Sequence, residues 1–348
     1  MDQRKKLFWS LFSLLLAVLS VWAVVSQSGE LSAAQLIESV RDADKLWLTA
    51  AVLCGGLFIF LEGAAICSIL KELGYRRNLG RGLLYSASDI YFSAVTPSAT
   101  GGQPASAFFM VKDRIPAGAV TVTLLVNLIM YTVSIVVLGL GSMALHFRLL
   151  SGFRLMSRLL IAVGFATLVG LTAFFFAMLR HGGAVFGAAG RLLGYLHRKG
   201  IIRELDTKLA KLEKTREDFD ACAKMTRGKT GAFRKAFVWN LGQRASQIAV
   251  PMCLHMAMGG QKAAAGLIFA SQCLITIGYN CVPIPGGMGV ADYLMLDGFS
   301  ALMGRDEAFR LELLSRGISF YICAAAGGAI TLVGYLSLRK KRKEKYTA

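Results

Sequence analysis

A chain of 348 residues could hold two or three soluble domains, but 55% apolar and only 17% charged residues exclude that class and mark an integral membrane protein. The net charge of +18 gathers in one internal segment and in a basic tail, "RKKRKEK" at 339–345, as positive-inside topology and attraction to anionic lipid require, so no nucleic-acid partner is expected. Seven cysteines, mostly inside apolar runs and without a C-x-x-C spacing, exclude a disulfide framework and a zinc knuckle.

A hydrocarbon core of about 30 Å takes about 20 helical residues. Leu7 to Val25 is uncharged and longer than a typical secretory h-region. Val24, Ser26 and Ser28 offer no A-x-A cleavage pattern, so this run reads as a retained signal anchor with Arg4, Lys5 and Lys6 on the cytoplasmic side. The net acidic segment Ser26 to Lys45 then lies outside, and Leu46 to Leu70, which contains Glu62, returns to the basic "KELGYRRNLGR". Gly82 to Val95, about 21 Å as helix, and Ala105 to Val111 are both too short to cross. Between them stands "TPSATGGQP" at 96–104.

Ala117 to Leu145 is uncharged for about 43 Å of helix and must tilt, protrude or break. Leu159 to Leu179 is a further span. Arg180 to Lys235 carries 14 Lys/Arg against 6 Asp/Glu, and its stripe Leu205, Leu209, Leu212, Phe219 reads as an interfacial helix. Ala236 to Met258 contains Arg244; Ala263 to Ala291 is again too long for one crossing and runs into "PIPGGMGVAD" at 283–292; Gly317 to Leu338 is the last span.

If residues 82–111 crossed once, the basic segment would fall outside, and the same error would follow for the tail if 263–303 crossed once. The expected fold is therefore an all-α integral membrane protein with about six full transmembrane helices. Two oppositely oriented re-entrant helical hairpins, near 82–111 and 263–303, complete an inverted-repeat, transporter-like arrangement. The whole of 1–348 reads as one polytopic domain: a first half 1–179, the basic cytoplasmic segment 180–235, a second half 236–338 and a cytoplasmic tail 339–348. A multi-pass plasma-membrane protein with both termini in the cytoplasm is expected.

Irregular backbone at membrane depth must be buried in protein or line a wet cavity. Each break opens a new helix whose free N–H groups carry about half a positive charge, and glycines let an anion approach. The first break supplies Thr96, Pro97, Ser98, Thr100, Gly101, Gly102, Gln103 and Pro104; the second supplies Pro283, Pro285, Gly286, Gly287, Gly289 and Asp292. A headgroup phosphate fits between them, against the plainer possibility of helix kinks made for packing.

An arginine near mid-membrane costs about 2.5–3.5 kcal/mol on insertion scales, so Arg244 should face a cavity or a partner, Glu62 or Asp292. Asn240, Arg244 and Gln247 share one face at i, i+4 and i+7. Glu62 could instead snorkel from about 13 Å inside the cytoplasmic edge. Asp292 is either a helix cap or a group for a cationic headgroup or a proton, and Asn127 is a weaker candidate of the same kind. "RGKTG" at 227–231 lacks the first glycine of a phosphate loop, which is Ala223 here. The four histidines show no metal spacing and no G-x-S-x-G occurs, so neither a metal nor a cofactor is expected.

"TPSATGGQP" and "PIPGGMGVAD", in this order and separated by four or so spans, resemble the membrane domain of the lysylphosphatidylglycerol synthase and flippase family over nearly the whole chain. In that family glutamate often stands where Asp292 and Gln103 stand here. The resemblance implies translocation of an anionic or aminoacylated phospholipid such as lysylphosphatidylglycerol, or of a related lipid phosphate, with membrane phospholipids as partners. Full-length members add a cytosolic domain that transfers lysine from charged tRNA to phosphatidylglycerol. The longest segment outside the spans here, about 56 residues, is too short for it, so no transferase activity of its own is expected. The alternative is a lipid-modifying enzyme, or the membrane subunit of one whose transferase is a separate cytosolic chain.

Overall fold

The computed structural model describes residues 40–96, 100–180, 182–199, 205–226, 230–280, 282, 287 and 289–347, and the expected first span, Leu7 to Val25, lies outside them. All regular structure among the described residues is helical. Five helical stretches there are long and apolar enough to cross a membrane: Lys45–Glu72, Ala117–Leu145, Leu155–Arg180, Lys262–Asn280 and Arg305–Leu338.

The first described helix, α1 (Lys45–Glu72), is started by Asp44, whose carboxylate accepts from the Leu46 and Trp47 amides at 2.8 and 3.2 Å. Gly74, at φ +89°, ends it by letting the Tyr75 amide reach back to the Leu70 carbonyl. Asn78 caps α2 (Leu79–Val95), and after the break at residues 96–101 comes α3 (Gly102–Lys112). The arms fold back on each other. Tyr85 on α2 bonds Asp113 just past α3, and Gly102 sits against Asp89 and Ser93.

The overlong run Ala117–Leu145 is one unbroken helix, α4; a single turn, α5 (Leu149–Gly152), precedes α6 (Leu155–Arg180). The basic segment forms α7 (Gly182–Arg198) and α8 (Leu205–Thr226), packed on each other and, through α8, on α4. Phe219 is fully buried there and meets the Phe186 ring edge-on at 5.3 Å. Thus α8 is anchored in the protein by one aromatic of the expected stripe, while Leu209 and Leu212 lie close to Gly190 of α7.

The second half starts with α9 (Thr230–Ala257), continues as α10 (Lys262–Asn280), breaks, and returns as α11 (Val290–Ser300). Gly278 faces Leu294 and Gly298 faces Ile275, so these arms are antiparallel as well. Next come α12 (Arg305–Arg316), a six-residue π-helical segment (Gly317–Ile322) and α13 (Cys323–Thr347).

The most extensive helix pairing joins α1 to α9. The Asp44 amide bonds the Ala257 carbonyl at 2.8 Å, Gln243 bonds Glu62 at 3.0 Å, and Lys235 pairs with Glu72 at 3.1 Å. Rising numbers on one helix meet falling numbers on the other, so the two 28-residue helices are antiparallel along their length. The first hairpin therefore starts from the Glu72 end of this pair and the second from the Asp44 end. Two apolar clusters occupy the two ends. One joins α1, α2, α3, α4 and α8 around Leu70, Tyr85 and Phe219; the other joins α4, α6, α9, α10, α11 and α12 around Ile135, Leu254 and Phe299.

Candidate functional site

Between those clusters lies a cavity of about 440 Å³. Both hairpin tips line it, the first through Ala94 and Gln103 and the second through Val282 and Gly287. Phe58 and Glu62 face it from α1, Asp89 and Ser93 from α2, Asn127 and Tyr131 from α4, Arg244 and Gln247 from α9, and Arg316, Ser319 and Phe320 from the π-helical segment and its start. Leu168, Leu171 and Phe175 of α6 supply an apolar wall.

Arg244 stands at the midpoint of α9, roughly 20 Å from either end, and is 6% exposed. Its guanidinium lies 3.9 Å from the Tyr131 ring centre and 5.0 Å from that of Phe58, and Nη1 donates to Gln247 Oε1 at 2.7 Å. Its Nε is buried without a hydrogen-bond acceptor. A flat cation stacked on aromatic faces recovers part of the solvation lost on burial, and Arg244 itself lines the cavity. Neither expected carboxylate pairs with it: Glu62 accepts from Gln243, and Asp292 takes Arg316.

Asp89 is the residue sequence reasoning missed. It is 7% exposed and holds the first hairpin shut at the break, accepting from Ser93 Oγ at 3.1 Å and from Gln103 Nε2 at 3.2 Å. A Cβ on Gly102 would stand 2.0 Å from Ser93 Oγ and 2.2 Å from Asp89 Oδ1, which explains a glycine at the first position of α3. Thr96 Oγ1 accepts from the Gly101 amide at 2.9 Å and donates to the Phe92 carbonyl at 2.5 Å, closing the turn rather than facing the cavity. Thr100 and Pro104 are exposed, while Pro97 and Ser98 lie outside the described residues.

At the second tip Gly287 and Gly289 hold φ of +64° and +78°, the left-handed region that favours glycine. Asp292 caps α11 by accepting from the Gly289 amide at 2.8 Å, and its other oxygen lies 2.9 Å from Arg316 Nε. Capping and ion pairing are thus both realised in one side chain. Asn280 ties this tip to α4 through Tyr131 Oη at 2.9 Å. Pro283, Pro285 and Gly286 lie outside the described residues. Asn240 does not face the cavity; it is buried and donates to Asn127 Oδ1 at 3.0 Å, so the polar stripe on α9 divides into a packing bond and a cavity group.

Arg316 was also unforeseen, because an arginine before an apolar run reads as an interfacial end. The π-helical turn after it widens the helix at the cavity wall, a backbone feature with no residue signature. Asp89 carried one legible signal, an acid in an otherwise apolar run two turns before a Pro/Gly break. No group of three or more His, Cys, Asp or Glu among the described residues is placed to hold a metal.

A helical membrane protein is defined by these features, with two broken hairpins meeting from opposite ends of an antiparallel helix pair at a buried, charged cavity. The sequence profile described as lysylphosphatidylglycerol synthase TM region matches residues 10–327, and the chain belongs to that family, whose membrane region serves a lipid-related function. No curated protein matches the sequence.

Proposed function

We propose that the protein translocates a phospholipid across the membrane, its phosphate-bearing headgroup passing through the cavity against Arg244. The observation that carries this reading is a buried guanidinium at mid-helix whose Nε has no acceptor, in a cavity that both hairpin tips line. Arginine binds phosphate in a flat, forked geometry, and bonds to a charged group contribute about 1.5–3 kcal/mol each. An anionic or aminoacylated phospholipid such as lysylphosphatidylglycerol suits the site, since Glu62 and Asp89 offer carboxylates to an amine. The hairpins are re-entrant in this reading, about six helices span, both termini are cytoplasmic and the membrane is the plasma membrane. The apolar wall on α6 faces the acyl chains.

The test is protein-dependent movement of fluorescent phosphatidylglycerol and its lysyl form in proteoliposomes, with an Arg244→Ala, Gly287→Leu double variant as control. Movement that the double variant lacks is the expected result. Equal movement with both proteins would overturn the reading. No movement with either lipid would favour a membrane subunit serving a separate cytosolic transferase, which lipid profiling of a deletion strain checks.

A further inference from the structure

His255 stands in the last turn of α9, about 16 Å along the helix from Arg244 and beside the Ala257 carbonyl that bonds the start of α1. It is 4% exposed, and the loop to α10 folds around it. Gly259 holds φ +79°, the Gly260 amide donates to the His255 carbonyl at 2.9 Å, and a Cβ on Gly260 would stand 2.1 Å from Cε1 and 2.3 Å from Nε2 of the ring. Nε2 donates to the Gln261 carbonyl at 3.3 Å, the same oxygen that accepts from the Ala264 amide to start α10. Nδ1 lies 4.0 Å from Glu307 Oε1, in the first turn of α12. One ring thus joins the last turn of α9 to the first turns of α10 and α12.

The carbonyl and the carboxylate can only accept. A neutral imidazole has one N–H and one lone pair, so with Nε2–H given to the carbonyl, Nδ1 turns its lone pair towards Glu307; an imidazolium presents a proton to each oxygen. The C-terminal end of a helix favours the cation as well. The elements packed on this end of α9 bring Arg305, Asp306, Glu307 and Arg310 from α12, Lys262 from α10, and Asp44 and Lys45 from α1, whereas α4 and the π-helical segment bring no charge. Among the described residues Glu307 supplies the one carboxylate within 4.0 Å of a ring nitrogen, and Asp44 is engaged by the amides of its own helix. Glu307 is 41% exposed, so solvent screens the pair and its effect is local.

We propose that His255 is a pH-operated clamp at the base of the second hairpin. A proton on Nδ1 draws Glu307 in and holds the first turn of α12 on the α9–α10 junction; when that proton passes to water, the turn is released. The other end of α12 is Arg316, whose ion pair with Asp292 holds the second tip, so a single helix links clamp and tip. The clamp rests on these contacts alone and stands or falls separately from the lipid reading.

Hydrogen exchange of the full chain in lipid nanodiscs, read by mass spectrometry and corrected for the intrinsic pH dependence of exchange, tests it on peptides covering residues 258–264 and 304–311 at about pH 5 and about pH 8. Several-fold stronger protection at the lower pH is expected in wild type, and loss of that difference in both Glu307→Gln and His255→Gln. Glu307→Gln alters a partly exposed side chain and should fold, so it decides the matter even where His255→Gln does not fold. Wild-type protection that does not change with pH, or a pH response that survives Glu307→Gln, would overturn the clamp.

Discussion

Gly102→Ala tests the architecture of the first hairpin with a single methyl group. The added Cβ would lie 2.0 Å from Ser93 Oγ, 2.2 Å from Asp89 Oδ1 and 2.7 Å from the Asp89 carbonyl oxygen. The hydroxyl can rotate away, but the carbonyl belongs to the α2 backbone and moves only if the arms part by several tenths of an ångström. Overpacking of this kind costs about 1–3 kcal/mol, and the Gln103–Asp89 and Ser93–Asp89 bonds lengthen with the arms. Gly170→Ala on α6, where a Cβ meets nothing within 4 Å, is the matched control; it should be neutral or stabilise by up to about 1 kcal/mol through helix propensity. Thermal unfolding of the purified proteins in one detergent measures the difference. Adding Ser93→Ala to Gly102→Ala should recover only part of the loss, because the backbone contact remains. A Gly102→Ala protein as stable as Gly170→Ala would refute the packing described for the break.

Asp292→Asn should destabilise by about 1–3 kcal/mol, since it leaves Arg316 against a neutral group, and Arg316→Met in the same chain should return part of that loss in a double-mutant cycle. Tyr131→Phe removes the bond to Asn280 while keeping the ring on Arg244, so unfolding should report a cost of about 1 kcal/mol and the retained cation–ring stack should leave phospholipid binding within a few-fold of wild type. Gly287→Ala forces an L-residue to φ +64° and sets a methyl 3.0 Å from the Tyr279 ring, which should cost about 1–2 kcal/mol by denaturation and lower translocation further than Gly289→Ala, whose Cβ meets nothing within 4 Å.

The two helix breaks were legible because proline and glycine cannot continue a helix. Arg244 was legible for a similar reason: a charge inside an apolar span stands out against its neighbours. Its surroundings were not. The Tyr131 and Phe58 rings come from helices more than 100 residues away in sequence, and local periodicity carries no record of such pairing. The same limit hid the choice of Arg316 over Arg244 as partner of Asp292. Ala117–Leu145 left three outcomes open on length alone; packing against α8, α9, α10 and α6 along its faces keeps it a single helix. The Gln103 amide serves as donor to Asp89, a role a carboxylate at that position could fill only when protonated.

The most direct measurement of the central claim is the rate at which a phospholipid headgroup becomes accessible across proteoliposomes, for wild type against Arg244→Gln, with unfolding of both proteins measured in the same lipid. Glutamine removes the charge but keeps a polar side chain, and the central arginine carries its own insertion cost, so stability should change by no more than about 1 kcal/mol. Losing one or two charge-assisted bonds to phosphate should slow translocation about 10- to 100-fold. A slow but equally stable variant is the predicted result. A variant that moves lipid at the wild-type rate would contradict the assignment of Arg244 to the headgroup path.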